Sequence, residues 1–372
     1  MTQLHLAVAL DGAGWHPDAW RDPAARPQDL FTAGYWKGLV AEAERGLIDF
    51  VTIDDSLTIQ SADHFAPDDR VDQVRGRLDA TLIAARVAPA SAHIGIVPTV
   101  TATHTEPFHV STAIATLDYV STGRAGVQIR VGGLGGETAL FGRREFPAIS
   151  LDNLQDPAIQ QLIAERFDEA ADFVEVVRRL WDSWDDDAEI RDAATGRFID
   201  REKLHYIDFE GRWFSVRGPS ITPRPPQGQP VVTALGHGTV PYQLAARAAD
   251  VLFVTPHDPA GARDILAEVD GRPSLVFADL IVLFGGHDPA FFSDAKIVAG
   301  TAGQIADQIE ELHQLGYAGV RLRPGVLPTD LTAITDQLVP ELQRRGLFRT
   351  SYAESTLRER LGLAPLTTGA LR

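Results

Sequence analysis

Short apolar runs in this 372-residue chain repeatedly end in polar or glycine residues. Asp54-Asp55-Ser56 follows Phe50–Ile53, and Thr99, Thr101, Thr103 and His104 follow the run ending at Val97. Gln128 and Arg130 close the run that begins at Ala125, and Gly236-His237-Gly238-Thr239 follows Pro230–Ala234. His257-Asp258, Gly285-Gly286-His287-Asp288, and the pair Arg321 and Arg323 complete the pattern. The loop Gly236–Thr239 precedes a helical stretch around Tyr242–Ala249. Glycine lets backbone N–H groups approach an anion, a helix start adds partial positive charge, and Thr239 offers a cap and a hydroxyl. A phosphate fits there, and a plain strand-to-helix turn is the alternative. His16, after the first run, can change charge near neutral pH and serve as a proton donor or a substrate partner. Arg321 and Arg323 share one face of their strand by its two-residue period. With Arg130 they would leave a cation excess in a cleft, and arginine grips a carboxylate or sulfonate bidentately. The expected substrate therefore carries a negative charge or a strong hydrogen-bond acceptor. The alternative is that both arginines point outward and pair with Glu310 or Glu311.

Other chemistries lack their residues. There is no cysteine, hence no disulfide, thiolate nucleophile or iron–sulfur cluster. No HExxH, P-loop or GxSxG motif is present. Gly132-Gly133-Leu134-Gly135-Gly136-Glu137 lacks the third glycine of a dinucleotide loop at the required spacing and reads as a rim loop. Asp63-His64 and His257-Asp258 lack partners for a metal and read as solvated loops.

The elements that position these residues alternate. Strands are expected at Leu4–Leu10, Phe50–Ile53, His93–Val97, Ala125–Ile129, Pro230–Ala234, Val251–Thr255, Leu275–Leu283 and Gly319–Leu322. Helical periodicity fills the gaps: Val110, Ile114 and Leu117 after Pro107; Phe167, Ala170, Ala171, Val174, Val177 and Trp181; and Leu331, Ile334, Leu338 and Leu342. Eight βα units predict one (β/α)₈ barrel over residues 1–372, with its site at the C-terminal ends of the strands. Insertions interrupt it at about 130–160, after strand four, and at about 184–229, before strand five. Both are read as rim segments, where lids and binding loops live. A C-terminal extension covers about 345–372.

The net charge is −17, which disfavours nucleic acid as a partner. No run of about 18 apolar residues exists, so no membrane span is expected, and no basic patch precedes an apolar N-terminal stretch. The expected compartment is the cytoplasm.

Ordered segments then point to a family. They are GWHPDAWR (14–21), DFVTIDDSL (49–57), EPFHVSTAIATLDYVSTGRAG (106–126), FVEVVRRLWDSWDDDA (173–188), FSVRGPSITPRPPQGQPVV (214–232) and VPELQRRGLFRTSYAESTLRERLGL (339–363). Across nearly the whole length the chain resembles the luciferase-like flavin-dependent monooxygenases, in the branch of nitrilotriacetate and desulfurisation sulfone monooxygenases. The resemblance implies a (β/α)₈ barrel that takes reduced flavin mononucleotide (FMN) from a separate flavin reductase. It implies reaction with O₂ through a flavin peroxide to oxygenate a small substrate, in a homodimer or homotetramer. It places Asp55 near the flavin ring, with Asp54 its less important neighbour, Thr103 after strand three, and His16 at the substrate side. Trp15 lies in the same N-terminal motif and is expected to join the substrate side. Other positions depart from the family pattern. Gln128 stands for asparagine, Phe167 for tyrosine, Ile163 for histidine and His104 for tyrosine. Gly236-His237-Gly238 stands for Gly-Ala-Ser, and Arg321 and Arg323 for apolar or neutral residues. The flavin-binding set is thus Asp55, Thr103, Gln128, Phe167, Gly236, His237, Gly238 and Thr239. The substrate set is Trp15, His104, Arg130, Arg321 and Arg323. Because the departures cluster at the cofactor, two alternatives stand beside an oxygenase: a deazaflavin-dependent hydride-transfer oxidoreductase, and a flavin-binding paralogue without turnover.

Overall fold

Parallel pairing links eight strands in one closed ring in the computed structural model, which describes residues 3–63, 66–132 and 137–371. They are β1 (His5–Leu10), β2 (Phe50–Ile53), β3 (Gly95–Thr101), β4 (Gly126–Arg130), β5 (Val231–Leu235), β6 (Val251–Val254), β7 (Leu275–Leu283) and β8 (Gly319–Pro324). Each pairs with the next, β8 pairs with β1, and the barrel is closed. All eight coincide with runs legible in the sequence. The largest shift is at β3, expected at His93–Val97. Pro98 occupies the last rung with β2, opposite Ile53, and Thr99 to Thr101 go on pairing with β4.

A ninth strand, Lys296–Ala299, escapes the sequence reading. Only Leu275–Ala278 of β7 pair with β6; above them, Leu280–Leu283 pair on to Lys296–Ala299. The segment 284–295 is the link between them and lies at the barrel mouth.

Among the described residues, the α-helices of eight residues or more are α1 (Ala33–Arg45), α2 (Ala80–Val87), α3 (Pro107–Val120), α4 (Pro157–Trp181), α5 (Thr239–Ala248), α6 (Pro259–Val269) and α7 (Ala302–Leu315). Strand alternation divides the core. Leu6, Val8 and Leu10 of β1 point outward and join the large cluster that includes Val174, Val177 and Trp181 of α4. Ala7 points inward with Phe50, Val97, Val231, Val251, Phe253 and Phe277, which fill the lower barrel. Leu357 and Leu361 of the C-terminal extension belong to that same inner cluster and close the barrel floor. Gly95 is required there, since a Cβ would lie 2.7 Å from Leu357.

The two insertions lie on opposite rims. Residues 131–156 follow β4 and belong to the mouth. Residues 184–229 run from the end of α4 to the start of β5, which is the floor side. They carry two antiparallel ribbons, Glu189–Asp192 with Arg197–Ile199 and Phe209–Glu210 with Ser215–Val216. They are tied to the extension: Arg224 donates to the Leu366 carbonyl at 2.9 Å, and the Arg358 amide donates to Gln227 at 2.8 Å. The second insertion therefore supports the floor and cannot be the lid that its length suggested.

Candidate functional site at the barrel mouth

Above the apolar floor the barrel interior turns polar. Asp279 sits mid-strand in β7, fully buried, directly opposite Arg321 of β8. A buried carboxylate needs partners, and the register supplies them. Arg321 donates from Nε to Asp279 Oδ1 at 2.8 Å and from Nη2 to Oδ2 at 2.5 Å. Arg323, two residues nearer the mouth, donates from Nε to the same Oδ2 at 2.9 Å and also from Nη2. Arg321 continues the network by donating to Gln128 Oε1 at 2.5 Å, and the Gln128 amide donates to Thr99 at 3.1 Å. Aromatic faces cover both guanidinium groups: Phe253 lies 3.8 Å from Arg321 and Trp15 lies 4.6 Å from Arg323.

The two arginines thus act together, as their spacing predicts, and they face the barrel interior rather than Glu310 or Glu311. The expected cation excess is corrected, because Asp279 serves both and Asp294 serves Arg323. Asp294 Oδ1 accepts from Arg323 Nη1 at 2.7 Å and Oδ2 from Nη2 at 3.2 Å. Burial pushes the Asp294 carboxyl up, but Arg323 beside it holds it below the usual carboxylate range. Arg130 donates to the Asp55 carbonyl at 3.0 Å.

The loop after β5 has room for a ligand. Among the described residues, nothing lies within 4 Å of a Cβ built on Gly238, and its φ of 167° is extended backbone. Gly236, in contrast, lies against Tyr242, whose ring would stand 2.8 Å from a Cβ there. Thr239 opens α5, and its hydroxyl donates to Glu268 at 2.5 Å. His237 Nδ1 is 3.0 Å from the Thr255 hydroxyl, and Nε2 is 3.5 Å from Asp294. Burial pushes the His237 imidazole down, against the opposing pull of Asp294. These features, a glycine cradle at a helix start with an open side, fit the phosphate end of a flavin mononucleotide.

Asp55 is placed differently from expectation. Its carboxylate accepts from the Ser56 amide at 2.7 Å and the Ala80 amide at 2.8 Å, so one oxygen closes the turn after β2 and the other holds the start of α2. Thr52 lies inside the barrel, 3.4 Å from Arg321, and alternation turns the next inward position to Asp54. Arg77 bridges Asp54 at 3.4 Å and Asp11 at 3.1 Å. Thr103 is buried and accepts from the Gly132 amide at 2.9 Å. His104 stacks on Phe141, its centroid 4.9 Å away, and its buried Nε2 has no hydrogen-bond partner among the described residues. That nitrogen is 3.9 Å from Glu137, and burial pushes the imidazole down. Phe167 is half-buried against the core and Ile163 is half-buried.

His16 is buried at the mouth. Its Nδ1 accepts from the Asp18 amide at 3.0 Å, which leaves Nε2–H to donate to the Asp288 carbonyl at 3.1 Å. Phe291 and His287 flank the ring at 4.9 and 5.3 Å. Asp258 caps α6 by accepting from Ala260 and Gly261. His64 of the Asp63-His64 pair and residues 133–136 of the glycine loop lie outside the described residues.

The family model described as luciferase-like monooxygenase matches residues 13–275, which run from just after β1 to the start of β7 and include both insertions. The chain belongs to the luciferase-like monooxygenase family. It is 29% identical to N-acetyl-S-(2-succino)cysteine monooxygenase of Bacillus subtilis (strain 168), with 97% of each chain covered. It is also 29% identical to nitrilotriacetate monooxygenase component A of Aminobacter aminovorans, again over 97% of each. Among solved structures, a riboflavin lyase with modified FMN and riboflavin superimposes with a TM-score of 0.81 at 24% identity, covering 98% of this chain and 96% of that one. The first two alignments extend over 447 and 452 positions, so the relatives carry segments that this 372-residue member of the family lacks. Family membership implies an enzyme that uses a flavin. No helix among the described residues is long and apolar enough to cross a membrane.

Asp279 and Asp294 are the site residues that sequence reasoning missed. A signal existed for the first. A single carboxylate inside Leu275–Leu283, an otherwise apolar strand, is tolerated only beside cations, and Arg321 and Arg323 were the candidates. For Asp294, in a loop rich in exposed residues, no periodicity pointed inward.

Proposed function

We propose that this chain is the oxygenating component of a two-component flavin monooxygenase that acts on a small organic substrate. Reduced FMN would arrive from a separate reductase and bind with its phosphate at Gly236, His237, Gly238 and Thr239. Thr103 and Gln128 would line the wall beside the ring, with Phe167 behind it. Bound flavin supplies the activation of O₂, and the protein supplies position and a water-poor mouth. Trp15, His104, Arg130, Arg321 and Arg323 would surround the substrate. His16 would give the substrate a hydrogen bond or a proton from Nε2, the nitrogen that the Asp18 amide keeps protonated by occupying Nδ1. The observation that carries this reading is family membership over most of the chain, joined to the open glycine cradle at the mouth.

The test supplies FMN, a flavin reductase and isotopically labelled O₂ with a panel of small carboxylates, sulfonates and neutral analogues. Label entering a product, with yield lowered in His16→Ala while flavin affinity is kept, supports the reading. Bound flavin with no label in any product contradicts it.

A further inference from the structure

Arg323 is one of the largest fully buried side chains in the molecule, yet one of its two carboxylate partners is not buried. Asp279 is enclosed, whereas the side chain of Asp294 is 41% exposed. Asp294 comes from the 284–295 link, where Gly285, Gly286, Asp288 and Phe292 are exposed. It reaches inward past His237 to meet the outer edge of the Arg323 guanidinium in a two-toothed grip. Removing that one carboxylate would leave two arginines on Asp279, and so one positive charge without a counter-ion in a pocket walled by Trp15. A buried cation of that kind demands an anion.

We infer that Asp294 is a resident stand-in for an oxyanion ligand, and that Arg323 with His237 forms the binding site which the ligand takes over when Asp294 leaves. The inference deepens the proposed function by naming the residue that the ligand displaces. The fork geometry of Arg323 suits a carboxylate, a sulfonate or a phosphate oxygen pair. The ligand is either the substrate's own acid group or the phosphate of the flavin, since His237 belongs to both neighbourhoods. The 284–295 link is tied to the site at a second point, the Asp288 carbonyl that accepts from His16 Nε2. Displacement of Asp294 loosens the link at one tie and favours release at the other. Ligand entry would then free the His16 proton for the substrate, so that the acid group is presented only when the pocket is filled.

The exchange has a measurable consequence without turnover. An internal ligand held close to its site competes at an effective concentration in the millimolar range or above, so its removal raises the affinity of an external one. Wild type, Asp294→Asn, and the double variant Asp294→Asn/Arg323→Gln are titrated by calorimetry with succinate, inorganic phosphate and neutral succinamide. Asp279 keeps Arg321 as a partner in the double variant, and far-UV circular dichroism verifies that each variant folds. The expected result is about tenfold or greater tightening for succinate or phosphate in Asp294→Asn, lost in the double variant, with succinamide unaffected. Tightening for succinate alone assigns the site to the substrate, and for phosphate alone to the flavin. No tightening for either anion, or equal tightening for succinamide, overturns the inference. Because the measurement is binding alone, its failure leaves the labelled-oxygen test of the oxygenase reading standing, and the reverse also holds.

Discussion

Replacing Asp279 with asparagine should be among the most damaging conservative substitutions in this chain. The change keeps shape and volume but removes the charge that two buried guanidinium groups share. Breaking one buried ion pair from one side costs about 3–5 kcal/mol, because the surviving charge stays desolvated. Here two such charges survive. Arg323 keeps only the half-exposed Asp294, and Arg321 keeps Gln128, which is neutral. The asparagine amide can also direct N–H groups at the guanidinium groups, so the cost should sit at or above about 5 kcal/mol. That is a large part of the about 5–15 kcal/mol that stabilises a typical protein. Urea unfolding followed by circular dichroism, with Asp294→Asn alongside, measures it. Asp294 is a half-exposed partner of a guanidinium that keeps Asp279, so its loss should cost clearly less than the loss of Asp279. The reasoning fails if Asp279→Asn unfolds at the same urea concentration as Asp294→Asn, because the buried network would then not be held by its central carboxylate.

Gly238→Val should leave folding intact, since the position has open space and extended backbone, while weakening FMN binding by about tenfold or more, on the order of 1.4 kcal/mol. Quenching of flavin fluorescence measures the affinity, and an unchanged value would remove the phosphate from this loop. Leu357→Ala should destabilise by about 2–5 kcal/mol, because it opens a cavity in the barrel floor that solvent does not reach. Equilibrium unfolding tests this, and a loss under about 1 kcal/mol would mean that the extension does not seal the floor. Burial pushes the Asp49 carboxyl up, but the hydrogen bond and charge of His5 and the charge of Arg349 hold it below the usual range. A carboxyl depressed in the folded state contributes stability that is present above about pH 4 and lost as the pH falls through its folded value. Asp49→Asn should therefore flatten the acid limb of the stability curve, and an acid limb as steep as that of wild type would refute the assignment.

The fold was legible because its signals are local. Eight apolar runs with helical periodicity between them fix the barrel, and inward and outward faces follow from alternation in β1 and β2. The ninth strand was not legible: Lys296–Ala299 is only four residues long, and it exists because β6 stops at Val254 while β7 continues to Leu283. Which rim an insertion occupies follows from whether it leaves a strand or a helix, and length alone misassigned residues 184–229. At the site, strand period correctly joined Arg321 to Arg323. It could not show that Asp279, on the neighbouring strand, cancels their charge, because register between strands is not written in either one. Asp55 carried the family position, yet its geometry is decided by two amides, one of them 25 residues away at Ala80.

The central claim, an oxygenase whose flavin sits at the open glycine loop, is tested most directly by how the protein changes the reaction of reduced flavin with oxygen. Protein and reduced FMN are combined without air, mixed rapidly with oxygenated buffer, and the return of oxidised flavin is followed by absorbance beside protein-free and Gly238→Val samples. The account predicts that wild type alters the time course relative to free flavin and that Gly238→Val restores the free-flavin behaviour. Identical time courses in all three samples, together with oxidation of reduced deazaflavin by an acceptor in the same protein, would contradict it.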